Sequence, residues 1–148
     1  RYQAKELWAS PEHSVQFDTP VLKDGLLFGL SGRGQFFCMS EKDGKTLWSA
    51  AAPAAGGAAG GRGGRGGRGG RGGGMGGTAG YGSVVDAGPA LLALSPASQL
   101  VVFEPSDKAF KQLASYKVAD SPTYAYPVVS GNRVFVKDND SVTLWTID

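Results

Sequence analysis

Cysteine and histidine are nearly absent from this sequence, and each scarcity excludes a class of site. A single cysteine, Cys38, excludes an internal disulfide and any site built from several cysteines. The apolar run around Cys38 predicts a buried, inert thiol. The only histidine, His13, cannot form a zinc site with one cysteine, and its polar neighbours predict a solvated loop histidine rather than a Ser-His-Asp site. No apolar run reaches 18 residues, which excludes a membrane-spanning helix.

Long apolar runs are also lacking in residues 19–48, where short runs alternate with turns. Runs of four or five apolar residues, such as 26–30 and 36–39, are too short to form stable helices. Glycine supplies the positive φ that tight hairpins need, and Asp-Gly steps indicate hairpins strongly. The stretch therefore predicts a four-stranded antiparallel meander whose structural turn residues include Gly25, Gly34 and Gly44.

The same pattern recurs along the chain. Residues 94–95 match 30–31, and residues 99–103 match 35–39. A third copy begins near Tyr126 and places residues 142–145 on 35–38. Residues 5–8 read like the closing strand at 45–48. The sequence thus predicts a trailing strand, two complete meanders and a third copy with three strands.

A repeat of four short strands is typical of a β-propeller blade. The segments Asp24-Gly25-Leu26-Leu27-Phe28-Gly29, Gly34-Gln35-Phe36-Phe37-Cys38-Met39 and Lys42-Asp43-Gly44-Lys45-Thr46-Leu47-Trp48 resemble the PQQ-like (quinoprotein alcohol dehydrogenase-like) propeller repeats. The resemblance implies that the closing tryptophans, Trp8 and Trp48, pack between neighbouring blades. The middle copy departs from the pattern, with Lys108 at the turn glycine and Ala114 at the tryptophan.

The expected fold is all-β: a partial β-propeller of four-stranded antiparallel blades, interrupted by a disordered Gly/Arg-rich insert. A propeller closes with roughly four to eight blades, so we expect the chain to be a segment of a longer protein. In the resembled family, the outer strand of the last blade can come from the distant N-terminus, which would pair here with residues 144–147. The expected units are a closing strand at 1–10, a blade at 19–49, a linker at 50–82, a blade at 83–118 and an incomplete final blade at 124–148.

The linker holds most of the chain's 24 glycines and lacks the apolar residues needed to offset the entropy of ordering, which predicts disorder. Its fit to G-x-G-x-x-G at 61–66 lacks a flanking strand and helix, so we interpret it as an accident of composition. Removing its four arginines from the net charge of +2 leaves −2, so the blades are not a basic platform for nucleic acid. These candidate nucleic-acid contacts are Arg62, Arg65, Arg68 and Arg71.

Three interpretations of the linker stay open: an inert spacer, which we favour, a contact with polyanions or surfaces, and RNA binding. About four phosphate contacts give a single-strand salt slope near −2.8, hence only about a 50-fold change in affinity between 50 and 200 mM salt. This modest electrostatic term argues against RNA binding as the main function.

Residues 138–141, Asp-Asn-Asp-Ser, crowd oxygen atoms as a calcium loop does. The turn glycine and the distal glutamate of an EF-hand are missing, and Asn and Asp are ordinary turn formers. A hairpin turn is therefore favoured over a metal site. Residues 139–141 also fit an N-glycosylation sequon, which has meaning only in a eukaryotic secretory setting.

The favoured function is a non-catalytic scaffold that binds other proteins through propeller loops or sheet edges, and that packs against further blades of the same protein. By resemblance the expected location is the periplasm or another exported compartment, although no N-terminal signal is present in this chain. The alternative is the C-terminal part of a quinoprotein dehydrogenase. No catalytic, metal or cofactor-binding residue is identified, so PQQ and calcium would be cofactors only if other blades carry the site.

Overall fold

The computed structural model describes residues 1–52 and 82–147, and every regular element in these ranges is a β-strand. The predicted all-β fold of antiparallel propeller blades is confirmed. In the ranges described, no helix is long and apolar enough to cross a membrane. The strands are β1 (Val21–Lys23), β2 (Leu26–Leu30), β3 (Gln35–Ser40), β4 (Thr46–Ala51), β5 (Ser83–Asp86), β6 (Leu91–Leu94), β7 (Gln99–Phe103), β8 (Gln112–Lys117), β9 (Val128–Ser130), β10 (Arg133–Lys137) and β11 (Val142–Thr146).

The strands form three antiparallel meanders in chain order. The first blade has the order β1-β2-β3-β4, the second blade β5-β6-β7-β8, and the third blade β9-β10-β11. The arginines at 62, 65, 68 and 71, and the predicted disorder of the linker, lie outside the described residues.

The first two blades share one register. Phe28 pairs with Cys38 and Cys38 with Trp48, just as Leu92 pairs with Val102 and Val102 with Ala114. The register between the third and fourth strands shifts directly after Cys38 and directly after Val102. Ala114 therefore occupies the place of Trp48.

The third blade corrects the predicted pairing by one residue. Phe135, the counterpart of Phe28, pairs with Leu144, so Leu144 rather than Trp145 is equivalent to Cys38. The β10–β11 hairpin is closed by the bond from the Asp138 N–H to the Ser141 carbonyl, which leaves a two-residue loop. The β2–β3 hairpin, closed between Ser31 and Gln35, has a three-residue loop. Because side chains alternate along a strand, this one-residue difference moves Trp145 to the opposite face of its sheet.

The second blade lies between the other two and is buried on both faces, so the three sheets are stacked. Alternate side chains of a strand point to opposite faces, so β6 and β7 supply two separate cores. Fully burying such side chains stabilises the fold by about 1.5–3 kcal/mol each. Toward the first blade lie Leu91, Ala93, Val101 and Phe103, which pack with Phe28, Leu30, Phe36, Cys38 and Trp48. Toward the third blade lie Leu92, Leu94, Leu100 and Val102, which pack with Val134 and Val136.

Residues 1–10 carry no strand assignment and pair with no strand in the ranges described, so their role as the closing strand of a preceding blade stays a prediction. They run into a segment that covers the outer face of the first blade. There the ring of His13 stacks on Phe37, with centroids 4.9 Å apart and planes at 11°. The predicted solvated position of His13 is thus wrong: its ring is half-buried, and its Nδ1 is buried without a hydrogen-bond partner. A Cβ at Gly29 would lie 2.5 Å from the Phe37 ring, so the glycine makes room for this ring, on which His13 then stacks.

Candidate protein-interaction surface

The structure places both predicted docking tryptophans against the turn between the third and fourth strands of a blade. The Trp48 Nε1–H donates to the carbonyl of Ser106 at 2.7 Å, in the turn after β7, and its ring packs at 6.0 Å from that of Phe110. The Trp8 Nε1–H donates in the same way to the Glu41 carbonyl at 2.8 Å, in the turn after β3. The segment before the first blade thus contacts that blade as the first blade contacts the second. Its assignment to a preceding blade stays a prediction.

The predicted turn glycines lie at hairpin corners. The φ angles of Gly25, Gly34 and Gly44 are 77°, 70° and 68°, in the region that favours glycine. In the second blade, Ser98 takes the position of Gly34 with a φ of 63°. No local pattern predicts this strained serine, whose hydroxyl donates to the carbonyl of the distant Ser121 at 2.6 Å.

The segments that lead into the first strands of the three blades meet at one cleft. It has a volume of about 360 Å³ and is called the linker cleft here. Sequence reasoning missed it, since its three segments are far apart in the chain. The only local signal was the prolines near the starts of β1 and β9, which favour extended backbone before them. The cleft is lined by Phe17, Asp18, Gly82, Ser83, Leu94, Pro96, Thr123 and Tyr124.

Hydrogen bonds connect these segments to neighbouring backbone. The Thr123 hydroxyl donates to the Ser95 carbonyl at 2.6 Å, and the Thr123 N–H donates to the Pro96 carbonyl at 3.3 Å. On the opposite wall, the Asp18 carboxylate accepts the N–H of Gly82 at 3.2 Å. The backbone N–H of Thr19 donates to the phenol oxygen of Tyr126. Backbone fixed in this way can present side chains at defined positions.

Aromatic side chains at and near the rim point toward solvent. Phe17 is 75% exposed and Tyr124 is 64% exposed, and Tyr126 is exposed nearby. Burial raises the pKa of Asp18 above its ordinary value, against the smaller lowering effect of the Gly82 N–H. Aromatic residues are enriched at protein interfaces, where rigid rings contribute much contact area at small entropic cost. The linker cleft therefore combines exposed aromatic rings with a lining that is mixed in polarity.

The loop at 138–141 is a hairpin turn, as predicted. Oδ1 of Asp138 accepts the N–H groups of Asp140 at 2.9 Å and Ser141 at 2.6 Å, and the Ser141 hydroxyl at 3.1 Å. These bonds, the Ser141 N–H first, lower the pKa of Asp138. Across the residues that the structure describes, no three His, Cys, Asp or Glu side chains gather as metal ligands.

Cys38 lies fully buried in the first core. Burial, with a smaller contribution from the charge of Asp107, raises the pKa of its thiol to about 11. The neutral thiol packs as a small apolar group, and nothing in its surroundings activates it as a nucleophile.

The third blade exposes an apolar face, called the open face here. Its residues are equivalent by register to side chains that are covered in the first blade. Phe135 corresponds to Phe28 and Leu144 to Cys38, yet both are exposed, because no further sheet covers them in the described structure. The open face consists of Val128, Phe135, Val142 and Leu144.

Short antiparallel meanders that stack face to face, each joined to the next by a docking tryptophan or an aliphatic core, define a β-propeller repeat protein. The chain belongs to the family described as outer membrane protein assembly factor BamB, whose sequence model matches residues 2–148. The resemblance to PQQ-like propeller repeats is thereby confirmed. No curated protein sequence matches the chain.

Two solved structures show the same fold. BamB from Moraxella catarrhalis is 9% identical, with a TM-score of 0.59 over 86% of this chain. The computationally designed protein Ika8 is 13% identical, with a TM-score of 0.55 over 86% of this chain. The match spans 32% of the length of each of these two proteins.

Proposed function

We propose that this chain is part of a BamB-like β-propeller scaffold that binds protein partners at the linker cleft. The observation that carries the proposal is the pair of exposed rings, Phe17 and Tyr124, on hydrogen-bonded segments beside the linker cleft. The family description, an outer membrane protein assembly factor, supports a periplasmic location and a partner among the proteins of that machinery.

The open face supports a second contact, with another blade of the same protein. Its side chains match those that the second blade covers on the first, so a sheet with alternating apolar residues would bury them. This contact is structural, and it leaves the linker cleft accessible.

The test is binding of the full chain to purified periplasmic domains of the outer-membrane protein assembly machinery. Phe17→Ala and Tyr124→Ala are each expected to weaken binding at least tenfold, since exposed aromatic anchors dominate such interfaces. Tyr116→Ala is the matched control, because Tyr116 is a similarly exposed tyrosine on β8 outside the cleft. Absence of binding, or equal loss in all three variants, would contradict the proposal.

A further inference from the structure

An apolar cleft of about 400 Å³ lies between the second and third blades. It opens beside the turns β5–β6 and β9–β10 and is distinct from the linker cleft. The second blade contributes Ala87, Pro89, Ala90, Leu92 and Val102, and the third-blade side contributes Val129, Gly131, Asn132, Val134 and Ile147.

Smaller side chains in the second blade account for this space. By register, Ala90 is equivalent to Leu26, because each is the first residue after its turn: Ala90 pairs across the turn with Ala87, and Leu26 pairs with Lys23. Leu26 packs against the first core and Ala90 against the second, but the shorter side chain of Ala90 lines the cleft. Two further positions carry a smaller side chain in the second blade, Leu92 for Phe28 and Ala114 for Trp48, whereas Val102 is larger than its counterpart Cys38.

The ion pair found at the first interface is replaced by apolar residues at this cleft. Between the first and second blades, Lys23 Nζ bonds both carboxylate oxygens of Asp86, at 2.9 and 3.0 Å. The equivalent residues between the second and third blades are Ala87 and Val129, and both line the cleft. An occupant therefore meets no charge in the lining, and a charged group would lose its hydration without compensation.

We propose that this cleft binds an aromatic side chain of a partner protein, of the indole class. At the first interface, the indole of Trp48 packs in the first core, with its centroid 6.1 Å from that of Phe28, the counterpart of Leu92. At the second interface the residue equivalent to Trp48 is Ala114, which does not itself line the cleft but pairs with the lining residue Val102 and provides no ring. A tryptophan supplied by another protein takes the place of that ring. This site is independent of the linker cleft, and either proposal can fail alone.

The probe is the capped peptide Ac-Gly-Trp-Gly-NH₂, titrated into the full chain while methyl NMR signals of Val102, Val134 and Ile147 are followed. We expect saturable shifts with a dissociation constant near 1 mM. This corresponds to a binding free energy of about −4 kcal/mol, which a single aromatic ring can provide. Ac-Gly-Ala-Gly-NH₂ is expected to cause no saturable shift. Absence of saturation up to about 10 mM, or binding of free indole without binding of the tryptophan peptide, would overturn the proposal.

Two variants restore side chains found at the first interface: Ala90→Leu enlarges a residue that lines the cleft, and Ala114→Trp adds an indole beside the lining residue Val102. Ala114→Trp and Ala90→Leu are each expected to weaken the peptide at least tenfold. Ala90→Leu adds only three carbons, so it carries the test if Ala114→Trp does not fold. Ala109→Leu is the control, because Ala109 is exposed in the β7–β8 loop and lies outside the cleft. Unchanged affinity in the folded cleft-filling variants would contradict the assignment.

Discussion

Trp48 and Trp145 are both strand tryptophans, but they lie in different environments in their blades. Trp48 is 9% exposed, lies at the first interface and hydrogen-bonds across it, while Trp145 is 37% exposed. The register explains the difference: Trp145 is the counterpart of Met39, not of a closing tryptophan. A tryptophan in a strand therefore indicates contact between blades only when its register position within the blade is known.

Trp48→Ala is expected to lower the free energy of unfolding by about 3–5 kcal/mol, because it opens a cavity in the first core. Trp48→Phe keeps a ring but leaves the Ser106 carbonyl without its donor, at a cost of about 1–3 kcal/mol. Urea denaturation measures both. Trp145→Ala is the control and should cost less than Trp48→Ala; a loss below about 1 kcal/mol for Trp48→Ala would show that the indole is not docked.

Asp18 makes the free energy of unfolding depend on pH. Burial raises its pKa in the folded protein above the ordinary 3.8, so the unfolded chain ionises first as pH rises. The stability contributed by the protonated form is present below pH 3.8 and is lost as pH rises through the folded pKa. Asp18→Asn should therefore gain stability relative to the native chain as pH increases from 3 to 7.

Thermal or urea denaturation of both proteins at several pH values would show this divergence. Asp120→Asn is the control, since Asp120 is an exposed carboxylate paired with Lys117 at the surface. A stability difference that is constant across the pH range would contradict the assignment of Asp18.

At the scale of elements, the pattern of apolar residues and the residue types at turns determined how much of the fold could be predicted from the sequence. Asp-Gly and glycine turns marked the hairpins of the first blade, and the apolar run at 99–103 marked β7. The β10–β11 hairpin was misjudged by one residue, because Asn139 and Asp140 suit a two-residue loop as well as a longer one. The linker cleft and the position of His13 depend on contacts between distant segments, which local patterns do not record.

The docking of residues 1–10 can be tested through a glycine. A Cβ at Gly44 would lie 2.6 Å from the Trp8 ring, whereas a Cβ at Gly131 would meet nothing within 4 Å. Both residues have a similar positive φ, 68° and 61°, so both alanine variants carry similar backbone strain, about 1–2 kcal/mol. Gly44→Ala should therefore be the more destabilising in urea denaturation.

The excess cost of Gly44→Ala should vanish in a Trp8→Ala background, where no indole opposes the new methyl group. This double-mutant cycle isolates the contact between the two residues. Equal costs for Gly44→Ala and Gly131→Ala in the native background would mean that Trp8 does not rest on the first blade.

At the scale of the whole molecule, two interfaces of unlike character join three similar sheets. The first contains a cluster of aromatic rings, including the Phe36–Phe110 stack with centroids 4.9 Å apart. The second is aliphatic and leaves an apolar cleft. The family relationship and the two solved structures agree with this stacking of blades, while the partners of the scaffold stay proposals.

The most direct test of the account is a methyl and aromatic NOE spectrum of the full chain, which reports which side chains lie within about 5 Å of each other. The stacked arrangement predicts NOEs from Leu91 to rings of the first core and from Leu92 to Val134 or Val136. NOEs from Leu91 to Val134, with none to the first core, would contradict the proposed succession of blades.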